Sequence, residues 1–266
     1  MSTIIHKEEA MIYASNSEQA LAGRFLSKSG SGNEHYRTDF LGRKGDPRVK
    51  GKPQAYMLDM HADEVLPPHF HVIDQFQVFF RGSGTLGRNS DVVHPVGIHY
   101  ADHHTGYGPI TAGREGFSYF TLRPETDPGA VYLHKEGYRD KLEPSRKRHH
   151  LVHTRINAEP AVSHGGVAAE SLIAKSANDD AGIIVLRMGA DGRTRAPDPS
   201  ASGGQYYLVL SGSLIHEDKA YPPLSVIFVD TSEPSFEVQA GEQGLEALVM
   251  EFPNWDGQAS KPTGVR

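Results

Sequence analysis

The chain has 266 residues, of which 38% are hydrophobic and 23% charged, and its formal net charge is −6. That balance suits a folded globular protein and argues against a disordered chain or a basic, nucleic-acid-binding one. It contains no cysteine, which excludes disulfides, thiolate nucleophiles, iron–sulfur clusters and Cys-type zinc sites, so any metal must sit on His, carboxylate or amide groups.

In chain order, the first segment, "MSTIIHKEEAMIYAS", lacks the apolar core and cleavage site of a secretory leader. No later apolar run approaches the roughly 18–20 residues of a membrane helix. The expectation is a cytoplasmic protein without membrane or nucleic-acid partners. Ser15 and Glu18 form a candidate capping box ahead of Ala20, Leu21 and Phe25, which predicts the one helix. Residues 27–53 are polar and rich in Gly and Lys and read as an arm or long loop. Beyond them, "QAYMLDMHA", "FQVFFRG", "GFSYFTLRP", "AGIIVLRMG", "QYYLVLSG", "LSVIFVD" and "LEALVMEFP" read as short strands between turn residues. The class is all-β with minor helix, and the regular strand spacing favours a barrel or jelly roll.

An internal repeat refines this organisation. Gln75, "FQVFFR" and Gly82 recur 130 residues later as Gln205, "YYLVLS" and Gly212. "VGIHYADHHTGYG" then resembles "LSVIFVDTSEPSFEV", in the same order. The implied organisation is an arm over 1–53, a barrel over 54–134, a linker over 135–160, a second barrel over 161–256 and a tail over 257–266.

The chemistry concentrates in "LPPHFHVIDQFQVFFRGSG", residues 66–84. Residues i and i+2 of a strand share a face, so His69 and His71 project in parallel, a spacing at which two imidazoles can converge on one ion. Gln75 has the same parity and joins them if no bulge intervenes. A third imidazole is expected from a neighbouring strand.

These residues resemble the cupin superfamily, whose first motif is a His-x-His pair followed by Glu and then Gly. "HFHVIDQFQVFFRG" is similar to it from His69 to Gly82, with Gln75 in place of Glu. The second motif is a loose Pro-x-Gly-x-x-His, and "HYADHH" overlays it with His104 as third ligand; His103, His99 and His94 are alternatives. The resemblance implies two cupin-type double-stranded β-helix (jelly-roll) barrels in tandem. The second should be degenerate, since Pro199 and Ala201 hold the positions of the histidine pair. It implies a divalent ion on His69, His71, His104 and Gln75, with Fe(II) preferred and Zn, Ni or Mn as alternatives. It also implies a metal-dependent enzyme, foremost dioxygenase-type, acting on a small anionic organic acid or enol-like metabolite. The alternatives are a non-oxidative Lewis-acid lyase, isomerase or decarboxylase, and a ligand- or metal-binding protein without turnover. Tyr107 and Arg123 are the candidate catalytic groups, as a phenol near the ion and a grip for a substrate carboxylate. Barrels of this family often pair, so a homodimer is expected.

Overall fold

The computed structural model describes residues 12–43, 45–156, 163–176 and 179–254. The proposed tail, 257–266, lies outside them, as do the first eleven residues of the proposed arm. The strands are β1 (Ile12–Ser15), β2 (Phe25–Lys28), β3 (Glu34–Leu41), β4 (Gln54–Met60), β5 (Val65–Leu66) and β6 (His69–Phe70). They continue as β7 (Gln75–Leu86), β8 (Asp91–Val93), β9 (Gly97–Ala101), β10 (Ile110–Arg123), β11 (Val131–Tyr132) and β12 (His149–His153). The second half holds β13 (Val167–Ile173), β14 (Gly182–Met188), β15 (Arg193–Arg195), β16 (Gln205–His216), β17 (Lys219–Tyr221), β18 (Val226–Val229) and β19 (Glu237–Glu251).

Two large antiparallel sheets result. One runs β12-β9-β7-β10-β4-β3-β2, with β5 and β8 as side pairings. The other runs β1-β18-β16-β19-β14-β13, with β15 and β17 as side pairings. Each curls into a jelly-roll barrel, and all seven strands expected from the sequence are present. The repeat is visible in the backbone. Gly82 (φ 76°) and Gly212 (φ 68°) occupy equivalent left-handed turns. A Cβ on either would lie 2.2 Å from Gly116 O or 2.1 Å from Gly244 O, so only glycine fits.

Strand alternation divides the side chains between two environments. Phe76 and Val78 of β7, Ile98 and Tyr100 of β9, and Phe120 and Leu122 of β10 point away from their own barrel interior. They meet Tyr206, Leu208, Val226, Phe228, Leu248 and Met250 of the sister barrel in one apolar core. The barrels therefore pack sheet on sheet, and burial of these faces fixes the register of every central strand.

Three expectations are corrected. The described part of the proposed arm, residues 12–43 and 45–53, is no mere arm: β2 and β3 extend the first barrel's sheet, and β1 pairs with β18 of the second. The segment looked loop-like because β3 turns the polar His35 and Arg37 inward, hiding the usual apolar alternation. The linker 135–160 likewise contains β12, which pairs with β9. The helix is Ser17–Leu21, and its cap is Asn16, whose side chain accepts from Glu18 N; Ser15 ends β1.

Candidate functional site

The inward face of the first barrel is polar at one end. Gln75 stands opposite Ala101, and Gln77 opposite His99. Thr121 faces Gln77 on one side and Tyr56 on the other, and Asp39 follows next to Tyr56. Arg123 pairs with Gln54 at the strand ends. One rung across the barrel thus reads His99, Gln77, Thr121, Tyr56, Asp39. Buried polar side chains at successive inward positions cost stability unless they find partners, so such a run is the mark of a site.

Three imidazoles gather around the Tyr107 phenol. Ring centroids of His69 and His99 lie 4.6 Å and 4.9 Å from that of Tyr107, with His71 at 6.5 Å. His69 and His71 are 5.2 Å apart. Strand β6 is only two residues long, and the chain turns before β7, yet the pair stays on one side as the i, i+2 spacing requires.

Each ring is held by its Nδ1. That of His69 donates to Pro67 O at 2.7 Å. That of His71 is 2.7 Å from Asp127 Oδ1 and 3.1 Å from an Arg123 nitrogen that can only donate. The ionised carboxylate therefore accepts the hydrogen bond from Nδ1–H. That of His99 donates to Gln77 Oε1 at 2.7 Å. In the neutral form of each ring Nε2 is left carrying the lone pair. His69 Nε2 accepts from the Tyr107 hydroxyl at 2.9 Å, whereas His99 Nε2 is buried and has no hydrogen-bond partner.

Electrostatics keeps His69 and His99 neutral. Burial, helped by the neighbouring His71, pushes His69 down to about 3. Burial, then His149 and His69, depresses His99 well below the usual histidine range. Burial would raise Asp127, but His71 and Arg123 outweigh it and hold the carboxyl below its usual range. Tyr107 is raised by burial and stays protonated.

His104, the expected third ligand, is not brought to this cluster. It sits in the turn after β9 with φ 56°, and its ring rests on Phe70, whose side chain has the opposite parity to His69 and His71. Its Nδ1 is buried without a partner. His103 is tied to Asp74, through both its backbone N (2.6 Å) and its Nδ1 (2.7 Å). His99, one of the alternatives to His104, is the third ring beside Tyr107. A signal for it was present: Pro95-Val96-Gly97 supplies the Pro-x-Gly of the second motif, and His99 follows one residue sooner than the motif requires.

Gln75 shares the inward face, but both ends of its amide are engaged. Its Nε2 donates to Tyr107, and its Oε1 accepts from Arg123 Nε and an Arg123 terminal nitrogen at 3.2 Å and 2.8 Å. The other terminal nitrogen of Arg123 donates to Gln54 Oε1 at 2.7 Å. Arg123 is thus fully buried, with each of its three guanidinium nitrogens on a glutamine oxygen. The partners Asp127 and Gln77 left no signature in the sequence, since pairing rather than spacing places them.

The chemistry of this donor set fits a divalent ion. A ligating histidine holds its second ring nitrogen on an oxygen, as all three do here, and the orphaned Nε2 of His99 is a donor in need of a cation or a proton. Among the described residues no three His, Asp or Glu stand at the mutual spacing an ion needs. The phenol of Tyr107 stands among the rings, so its bond to His69 must open for an ion to enter.

No family model matches the chain, and no curated protein is similar enough in sequence to count as a relative. Solved structures do match. Oxalate decarboxylase from Bacillus subtilis superposes with a TM-score of 0.55 at 13% identity, over 91% of this chain and 76% of that one. A dioxygenase candidate from Nostoc punctiforme superposes with a TM-score of 0.58 at 12% identity, over 92% and 84%.

Proposed function

We propose that this chain, a bicupin by fold, is a metal-dependent enzyme of the dioxygenase type that acts on a small organic anion in its N-terminal barrel. The observation that supports the reading is the trio His69, His71 and His99, each with Nδ1 held on an oxygen and Nε2 as the remaining donor. The similarity in fold to an oxalate decarboxylase and a dioxygenase candidate accords with it. These three histidines would hold the ion, with His99 in the role first given to His104. When bound, a divalent ion on neutral ligands keeps its full charge and polarises an anionic, chelating substrate. Fe(II) is the preferred ion because the proposed reaction is oxygen-dependent, with Zn, Ni and Mn as alternatives.

The chain's own groups supply the rest. Burial keeps Tyr107 protonated, so its hydroxyl donates a hydrogen bond, to His69 in this state and to a substrate oxygen once that bond opens. Arg123 is a positioning residue, since it orients Gln75 and, through Gln75, the phenol. In this reading the enzyme is cytoplasmic and pairs as a homodimer; no helix among the described residues is long and apolar enough to cross a membrane.

Elemental analysis of protein purified without added metal tests the centre. About one divalent ion per wild-type chain and near-zero occupancy in His69→Ala are expected. Equal metal content in both proteins would discard it. Oxygen uptake that depends on Fe(II), across a panel of small organic acids, tests the reaction type. Full turnover under strict anaerobiosis would rule out the dioxygenase.

A further inference from the structure

The cavity that His69 and His71 line also receives Lys28, Arg37, Tyr56 and Arg123. Its wall carries three fixed cations, Lys28, Arg37 and Arg123, and a single carboxylate, Asp127. Two of the cations differ sharply in how they are satisfied. Arg123 spends its donors on Gln75 and Gln54. Arg37 does not. Its Nε donates to Asp39 at 2.6 Å, and its guanidinium carbon lies over the Tyr56 ring, 3.7 Å from the centroid.

One terminal nitrogen of Arg37 is buried and has no hydrogen-bond partner. The side chain is 9% exposed, so bulk water does not serve it. A buried guanidinium donor without an acceptor is rare in folded proteins, because desolvating it is costly and nothing offsets the loss. β3 holds Arg37 rigidly in register with Leu58 of β4, on the same inward face as Tyr56. Contact with that ring restrains the fork. The donor is therefore preorganised to meet an acceptor that the protein itself does not provide.

We propose that Arg37 is the specificity-determining residue of this cavity, and that it receives the carboxylate of a small organic acid whose other oxygen function faces the histidines. The inference rests on the function proposed above and names its substrate class. It also exchanges the roles expected of two arginines: Arg37 grips the ligand, and Arg123 frames the site. A planar fork with a free terminal donor suits a carboxylate, whose two oxygens accept in one plane. The excess of cations on the wall opposes a neutral ligand less than it favours an anion. Burial would raise the Tyr56 phenol, but Arg123 and Arg37 outweigh it and draw it below its ordinary value, which marks the same corner as electropositive.

Calorimetric titration of malonate and of its neutral isostere malonamide tests this, on metal-stripped and on metal-loaded protein. Wild type should bind malonate in both forms, and malonamide at least about tenfold more weakly. Arg37→Met should lose malonate affinity by about tenfold or more while keeping the wild-type metal content, and Arg37→Lys should fall between. Equal binding of malonate and malonamide by wild type, no malonate binding, or unchanged binding by Arg37→Met would each overturn the assignment. The comparison of acid with amide uses wild type alone, so it stands even if a variant fails to fold. Wild type that binds malonate but holds no metal would sink the metal reading and leave Arg37 in place.

Discussion

The two barrels share a backbone and differ on the inside. Across β9, β7, β10 and β4 one inward rung reads His99, Gln77, Thr121, Tyr56. Across β18, β16, β19 and β14 the equivalent rung reads Ile227, Tyr207, Val249, Ile184. The rung above compares Arg123 with Glu251, each beside its glutamine, Gln75 or Gln205. Gln205 is purely structural: it accepts from the Tyr207 hydroxyl at 3.1 Å and donates to Pro197 O at 3.3 Å. The outward faces are apolar in both barrels and close one common core. The difference teaches that this fold is specified by its outward faces and its glycine turns. The interior can be filled with aliphatic side chains, as in the second barrel, or left polar at a cost in stability when it holds a site.

The largest effect that sharpens the contrast should come from the charged residue of the upper rung. Arg123→Met strands Asp127, Gln75 and Gln54 in a buried setting and should destabilise the protein by about 3–5 kcal/mol in urea unfolding. Glu251→Gln, which keeps its shape and its hydrogen bonds to Lys175 and Gln205, should cost about 1–2 kcal/mol. If the second substitution cost as much as the first, the barrels would be equivalent where we have drawn their difference.

Making the first barrel like the second comes next. His99→Ile installs the residue found at the matching position, and metal affinity measured by titration should fall by at least about 100-fold. His104→Ala should leave it within about threefold, since His104 faces Phe70. Retained affinity in the first variant, or its loss in the second, would return the third ligand to His104.

The glycine turns test what the barrels have in common. Gly82→Ala and Gly212→Ala each place a Cβ in a left-handed turn against a backbone carbonyl, and each should cost about 1–3 kcal/mol. Unequal penalties in thermal unfolding would break the equivalence of the two turns.

The smallest effect is a pH dependence that His103 gives the first barrel. Burial would lower His103, but its bond to Asp74 outweighs this and raises it above the usual 6.5. A raised folded pKa stabilises fully below the unfolded value and is lost as pH climbs through the folded one. The gap in Tm between wild type and His103→Gln should therefore be widest below pH 6.5 and narrow above it. A gap that widens with pH would reverse the assigned direction.

Much of this was legible in the chain. Period-two alternation located the central strands, and the recurrence of Gln75 and Gly82 at Gln205 and Gly212 announced two barrels. His69-x-His71 placed two imidazoles side by side because i and i+2 share a face in any extended segment. The reading failed where polar residues were assumed to mean loops, as at His35 and Arg37 on β3. It failed again where adjacency in sequence stood in for adjacency in space, as at His104.

The sequence by itself determined that the protein is β-structured, duplicated, free of thiols and endowed with a His-x-His pair in one half only, since these follow from composition and from periodicities that local backbone geometry imposes. Only the tertiary structure decided that His99 is the third ring, that Arg123 is spent on Gln75 and Gln54, and that Arg37 is left with an unused donor. Those outcomes depend on which strands pair and in what register. Pairing is a long-range consequence of burying both outward faces, and no short stretch of sequence encodes it.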